Sequence, residues 1–226
     1  MFSGFTKQTS DFLWELSFNN ERTWFAEHKS EFENCLKKPI TELAHDTCGL
    51  MDSRYPEYGW SVHVSRIYRD ARRLFGRGPF KERMWFTLTA AGSGDRCPAL
   101  YFEIGAAAYR FGLGFHCASG SDMEEFRKGI ASDPAAFSRI AEKIEKLNKY
   151  AIKGEDYKRA KGDMGPELNK WYNKKWLSLE RSGDFGGDIL SPDMPEILAA
   201  AFEELLPMYD FMRKTISAVP VPADGR

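Results

Sequence analysis

Seven basic residues fall between Arg66 and Arg83: Arg66, Arg69, Arg72, Arg73, Arg77, Lys81 and Arg83. Only two acids, Asp70 and Glu82, share that stretch, so it carries +5 over 18 residues in a chain whose formal net charge is -1. Residues 1–60, by contrast, carry -4. Six of the seven cations are arginine, a planar group that is always charged and grips carboxylate or phosphate through two parallel hydrogen bonds. Gly76 and Gly78 flank Arg77, and Pro79 follows. A turn of that composition lets backbone N–H groups approach an anion. It is not a P-loop, because G-x-x-x-x-G-K-[ST] is absent. The chemistry suggested is the binding of an anionic or phosphorylated small ligand by Arg66, Arg69, Arg72 and Lys81, with Asp70 among them.

Other uses of the same charges stay open. The acidic first helices can pair with these arginines and hold the fold together. A flat basic face would suit a non-catalytic interaction module meeting an acidic protein. A continuous basic track would suit weak nucleic-acid binding, with affinity that falls steeply with salt. Strand parity from Val62 puts Arg66 and Asp70 on one face and Arg69 on the other, so convergence requires a bulge.

Proton transfer has one candidate, His28, which lies on an apolar helical stripe four residues from both Trp24 and Phe32. Lys29 beside it can face the same cleft, with Trp24 as a wall. Asn19 and Asn20 read as helix caps. A second basic stretch (Lys158, Arg159, Lys161, Lys170, Lys174, Lys175) is interleaved with Tyr157, Trp171, Tyr172 and Trp176, a mixture that can stack on single-stranded nucleic acid or form a solvated face over packed rings. Cys35, Cys48, Cys97 and Cys117 include no C-x-x-C pair. His116 and Cys117 are adjacent strand residues that point to opposite faces, which argues against a shared metal. No D-x-D-x-D run, no G-x-S-x-G elbow and no nucleophilic triad is present. No metal site is expected, and no cofactor is indicated.

These residues need elements to hold them. The N-terminal zone, roughly Thr9 to Met51, reads as three helices. Thr9 or Ser10 caps the first and Asn19 or Asn20 the second. Pro39 opens a third, with Ile40, Leu43, Ala44, Thr47 and Met51 inward. From Trp60 to Phe115 the pattern is β: Val62–Arg69, Trp85–Thr89, Ala99–Ile104 and Ala107–Phe115. Gly112 and Gly114 suggest a bulge or a close backbone approach in the last of these. The final zone is helical again. Ser121–Glu124 fits a capping box, Asp133-Pro134 opens a helix through Leu147, and Ser191-Pro192 opens a last helix that Pro207 should kink. Lys153–Gly165 reads as a loop, and Trp171–Leu179 is ambiguous. The expected fold is α+β: an antiparallel sheet of about four strands, flanked by N- and C-terminal helices. The expected organisation is one domain over residues 1–217 and a disordered tail over residues 218–226.

Composition agrees with a globular chain of 226 residues, 42% hydrophobic and 29% charged. The near-neutral net charge argues against a globally basic nucleic-acid binder. No cationic and then apolar leader opens the sequence, and the longest aliphatic run, Ile197–Phe202, is far shorter than the roughly 20 residues of a membrane span. A cytoplasmic protein with reduced thiols is expected.

Four motifs in order add a resemblance. They are N-N-E-R-T-W-F-A-E-H-K (Asn19–Lys29), S-R-I-Y-R-D-A-R (Ser65–Arg72), G-P-F-K (Gly78–Lys81) and S-P-D (Ser191–Asp193). From about Gly4 to Ile216 the chain resembles the bacterial and fungal family catalogued as domain of unknown function 2461. The resemblance implies a single intracellular domain and carries over no catalytic residue. Its recurring positions match here at Asn20, Trp24, Phe25, His28, Lys29, Arg66, Tyr68, Arg69, Asp70, Arg72, Pro79 and Lys81. The family usually runs R-F-S-K-D-K-x-P-Y-K where this chain has R-R-L-F-G-R-G-P-F-K, so Phe80 stands in place of the usual tyrosine.

Overall fold

The computed structural model describes residues 1–74, 76–93, 97–115 and 118–216, and the side chain of Arg73 is not described. The residue pair His116 and Cys117 and the tail over residues 218–226 therefore lie outside the described residues. Helices α1 (Lys7–Phe18), α2 (Arg22–Glu27), α3 (Lys29–Phe32) and α4 (Lys38–Arg54) open the chain, with a π-helical turn at Glu33–Lys37 between the last two. Strands β1 (Ser61–Val64), β2 (Arg83–Thr89), β3 (Ala99–Gly105) and β4 (Ala108–Phe115) follow. Then come α5 (Gly120–Ser132), α6 (Pro134–Leu147), β5 (Ala151–Lys153), α7 (Pro166–Tyr172), β6 (Leu177–Asp184) and α8 (Met194–Ile216).

The fold is α+β, and its antiparallel sheet has six strands rather than four, in the order β1-β2-β3-β4-β6-β5. The two additional strands lacked a sequence signal. β5 is three residues long, and β6 turns from buried Leu177-Ser178-Leu179 to the more exposed and mostly polar Glu180-Arg181-Ser182-Gly183-Asp184 partway along. Helix starts also moved. Thr6, not Thr9 or Ser10, caps α1, with Thr9 at the third helical position. Ser119, not Ser121, forms the capping box of α5 with Asp122. Asp133 does cap α6, its Oδ1 accepting from the Ala136 N–H at 2.9 Å. α8 begins at Met194, and Ser191 Oγ accepts from the Asp193 N–H just before it.

The chain forms two compact units: residues 1–91, 101–111 and 182–201 make one, and residues 92–100, 112–181 and the chain from 202 onward make the other. In the first, α4 packs on β1 and β2. Ile40, Leu43, Ala44, Thr47 and Met51 all face inward, as their helical spacing predicts. β2 alternates strictly. Met84, Phe86 and Leu88 are buried, and Arg83, Trp85 and Thr87 turn to the other face. Fully burying side chains of this size contributes about 1.5–3 kcal/mol each. At the π-helical turn the buried Thr9 hydroxyl donates to the carbonyl of Cys35 at 2.6 Å. In the second unit, Phe126, Phe137, Trp171 and Phe211 form an edge-to-face and tilted cluster, with ring centroids 4.9–5.8 Å apart. Gly112 has φ +153, and its Cα faces the Leu179 carbonyl at less than a side chain's distance, the close approach that its position in a strand suggested.

The predicted strand Val62–Arg69 stops at Val64. Beyond it Ser65 still pairs with β2: its N–H donates to the Trp85 carbonyl at 2.8 Å, and its Oγ accepts from the Trp85 N–H at 3.0 Å. The chain then changes partner. Arg69 N–H donates to Pro79 O and Lys81 N–H to Ile67 O, around a single bridge between Tyr68 and Phe80. This switch breaks the strand parity that would have set Arg66 and Asp70 on one face.

Candidate functional site

Asn20 is where the site is built. Its Nδ2 donates to the Phe80 carbonyl at 3.0 Å, and its Oδ1 accepts from the Phe80 N–H at 2.9 Å. Asn20 is therefore not a helix cap: Glu21 takes the N-cap position of α2, and Asn19 closes the C-terminus of α1. Gly78 lies so close that a Cβ there would come 2.5 Å from the Asn20 backbone oxygen. Phe25 of α2 stacks on Phe80 at 4.1 Å, and Tyr68 closes on both rings. Phe80, the departure from the family pattern, is 1% exposed, so a packed ring stands at this position. Arg69 Nε donates to the same Phe80 carbonyl at 2.7 Å. The sequence 78–81 is thereby clamped from two sides, and Lys81 leaves the clamp in a fixed direction.

Lys81 lines an open groove of about 730 Å³ in the first unit, together with Arg69, Asp70, Arg77, Glu82, Arg83, Trp85, Glu103, Tyr109 and Arg110. Five basic side chains meet three acidic ones there. Most of that charge is already paired. Glu103 is shared by Arg83 at 3.6 Å and Arg110 at 2.8 Å, and its side chain is only 16% exposed. Arg69 Nη2 reaches Glu82 at 3.2 Å. Lys81 and Arg77 differ. Among the described residues neither has a carboxylate partner. The Lys81 ammonium donates to the Arg66 carbonyl at 2.6 Å and sits 4.4 Å over the Trp85 ring. Burial, and then the positive charges of Arg66 and Arg69, hold its pKa below the usual lysine value. Among the described residues the Arg77 side chain donates to the Leu74 carbonyl, at 3.5 Å through Nε.

Of the residues singled out in the sequence, Arg69, Asp70 and Lys81 come together on the groove, and Arg77 joins them. Arg66, Arg72, Trp24, His28 and Lys29 are not among its lining residues. Arg72 folds back in a fork onto Asp70, at 3.0 and 2.8 Å, and this bond raises its pKa. His28 stacks on Trp24 at 4.1 Å, and its Nδ1–H donates to the Trp24 carbonyl at 2.8 Å, which fixes the ring against its own helix. Lys29 is exposed. Among the described residues the acids that hold Arg69, Arg72, Arg83 and Arg110 are Asp70, Glu82 and Glu103, from the segment itself and from β3, rather than from the acidic first helices.

Trp85, Glu103, Tyr109 and Arg110 were missed by sequence reasoning. A signal existed for two of them: Glu103 and Arg110 interrupt apolar strands at positions of one parity, together with Arg83 of β2. Tyr109 carried none, since its ring packs over Gly183, where a Cβ would come 2.7 Å from its hydroxyl. Cys35 and Cys48 are held as thiols. Burial and then Glu31 push Cys35 up to about 12, and burial and then Asp52 push Cys48 up to about 11. Among the described residues no group of three or more His, Cys, Asp or Glu side chains is placed to hold a metal ion. No helix among them is long and apolar enough to cross a membrane.

No curated protein matches the chain. A family model described as "Conserved hypothetical protein (DUF2461)" matches residues 8–211, a span that takes in Asn20, the clamp at 78–81 and every side chain of the groove, and the chain belongs to that family.

Proposed function

We propose that the groove beside Lys81 binds a small anion, a carboxylate or a phosphate ester. The observation that carries this reading is the contrast in pairing: Arg69, Arg83 and Arg110 are each held by a carboxylate, whereas Lys81 and Arg77 line the same groove with none among the described residues. Two unneutralised cations on one concave wall attract an anion, and Trp85 beside Lys81 offers an apolar surface to whatever carries it. We take the setting to be the cytoplasm. The free thiols of Cys35 and Cys48 support that choice.

The test is a thermal-shift and calorimetric panel of inorganic phosphate, sulfate, nucleotides, sugar phosphates and dicarboxylates. It is run on the wild type and on Lys81→Met, Arg77→Ala and Arg72→Ala. A charged hydrogen bond contributes about 1.5–3 kcal/mol, so losing Lys81 should weaken the preferred anion about tenfold or more. Arg72→Ala should leave affinity unchanged. A panel without any binder, or equal binding by all four proteins, would sink the reading and favour a surface that meets an acidic protein.

A further inference from the structure

Away from the groove, in the second unit, Arg127 of α5 is 7% exposed. Its Nη1 is buried and has no hydrogen-bond partner. Among the described residues no carboxylate pairs with it. The guanidinium carbon lies 5.5 Å from the centre of the Tyr157 ring, and Lys161 Nζ lies 4.5 Å from the same centre. Lys158 and Arg159, on the same segment, are exposed, and neither they nor Lys161 has a carboxylate partner among the described residues. The surrounding lysines behave otherwise: Lys170 pairs with Glu145, Lys174 with Asp156 and Lys175 with Glu155. Two cations at the Tyr157 ring, and two more on the residues that follow it in the chain, are thus left without acids among the described residues, beside lysines that are paired.

A buried guanidinium N–H without an acceptor is costly, because it has lost water and gained no hydrogen bond in exchange. An aromatic face recovers only part of that loss. We propose that Arg127, with Lys158, Arg159 and Lys161, forms a second anion site that takes a compact phosphate-type oxyanion beside Tyr157. Compactness follows from the burial of Arg127, which leaves little room at the guanidinium. The trigonal arrangement of arginine donors suits a phosphoryl group, and the exposed lysines supply the charge that draws it in.

Inorganic phosphate is the probe, against chloride at matched ionic strength, with melting temperature as the readout. Phosphate raises the stability of most proteins by exclusion from their surface, so the comparison between variants decides. Wild type should gain a saturable rise of about 5 °C or more at ~100-fold excess over the dissociation constant. Arg127→Met, which keeps the bulk and removes the charge, should melt no lower than wild type in chloride and lose the saturable rise. The exposed double variant Lys158→Ala, Lys161→Ala should fold normally and shift the saturation to higher phosphate. Lys81→Met should keep the rise, which separates this site from the groove. An equal phosphate response in wild type and Arg127→Met overturns the proposal. So does an Arg127→Met protein that is markedly destabilised in chloride, because the guanidinium would then be satisfied within the fold. Binding to single-stranded oligonucleotides that tightens with length and ignores Arg127→Met would assign the cations to an extended polyanion and also overturn it.

Discussion

Replacing Asn20 by alanine tests whether the clamp on Phe80 positions the groove. Two hydrogen bonds disappear, one to the Phe80 carbonyl and one from its N–H. Each such bond is worth about 0.5–1.5 kcal/mol net, and a buried N–H left without an acceptor costs about 1–3 kcal/mol. The two losses are unequal. The Phe80 carbonyl keeps Arg69 Nε, whereas the N–H loses its acceptor. The sum is about 2–3 kcal/mol, which for a chain of this size lowers Tm by roughly 5–10 °C. Asn19→Ala is the internal control, since Asn19 only returns an exposed bond to Glu15 within its own helix. It should cost about 0.5 kcal/mol or less.

Chemical denaturation followed by tryptophan fluorescence reads both variants. The anion panel then reads whether Lys81 still points into the groove. If Asn20 acted as an ordinary helix cap, Asn19→Ala and Asn20→Ala would cost similar amounts and ligand binding would survive both. A loss below ~0.5 kcal/mol for Asn20→Ala would refute the clamp. Gly78→Ala gives the coupled test, because its Cβ would press on the Asn20 side chain and backbone. Residues in contact show non-additive costs, so the double variant should cost less than the two single variants together.

Three further outcomes follow from the same geometry. Gly112→Ala should fail to fold or lose more than ~4 kcal/mol, since its φ of +153 and the adjoining Leu179 carbonyl leave no space for Cβ; soluble yield and circular dichroism decide it. Glu103→Gln should cost about 1–2 kcal/mol by removing the charge that Arg83 and Arg110 share, yet tighten anion binding at the groove, so that denaturation and calorimetry move in opposite directions. Lys81 gives a pH signature. The folded state holds this proton less tightly than the unfolded chain, so deprotonation favours folding and stability rises with pH from the depressed pKa up to the ordinary lysine value of 10.5. Anion affinity should fall over that same window, and Lys81→Arg should remove the fall.

The α+β class was legible because helix and strand periods differ and α4 and β2 follow theirs without interruption. The charge concentration at 66–83 was legible for the same local reason. Which of its members meet was not. Ser65 keeps the ladder to β2 and the next residues leave it for Pro79–Lys81, a change of partner that no alternation reveals. Asn20 misled for a related reason. An asparagine before a helix is a cap by local rules, and its true partner lies 60 residues away. Glu103, which neutralises two arginines of the groove, comes from a different strand and carries no motif.

The family motifs take on a physical order once these contacts are known. Asn20, Phe25, Arg69 and Pro79 all converge on the backbone and ring of residue 80, and none of them needs a ligand to explain its place. Lys81 is different. Its backbone N–H is spent on Ile67, and its ammonium rests on one carbonyl and one tryptophan face while two arginines raise the cost of its charge. A lysine that served only solubility would swing into water and regain an ordinary pKa. Holding it half-buried beside like charges costs stability, and the clamp at Phe80 is what supplies the rigidity to do so. The expense is accounted for if an anion restores the balance when it binds, and this is why Lys81→Met should raise stability in the absence of ligand and lower it relative to wild type in its presence.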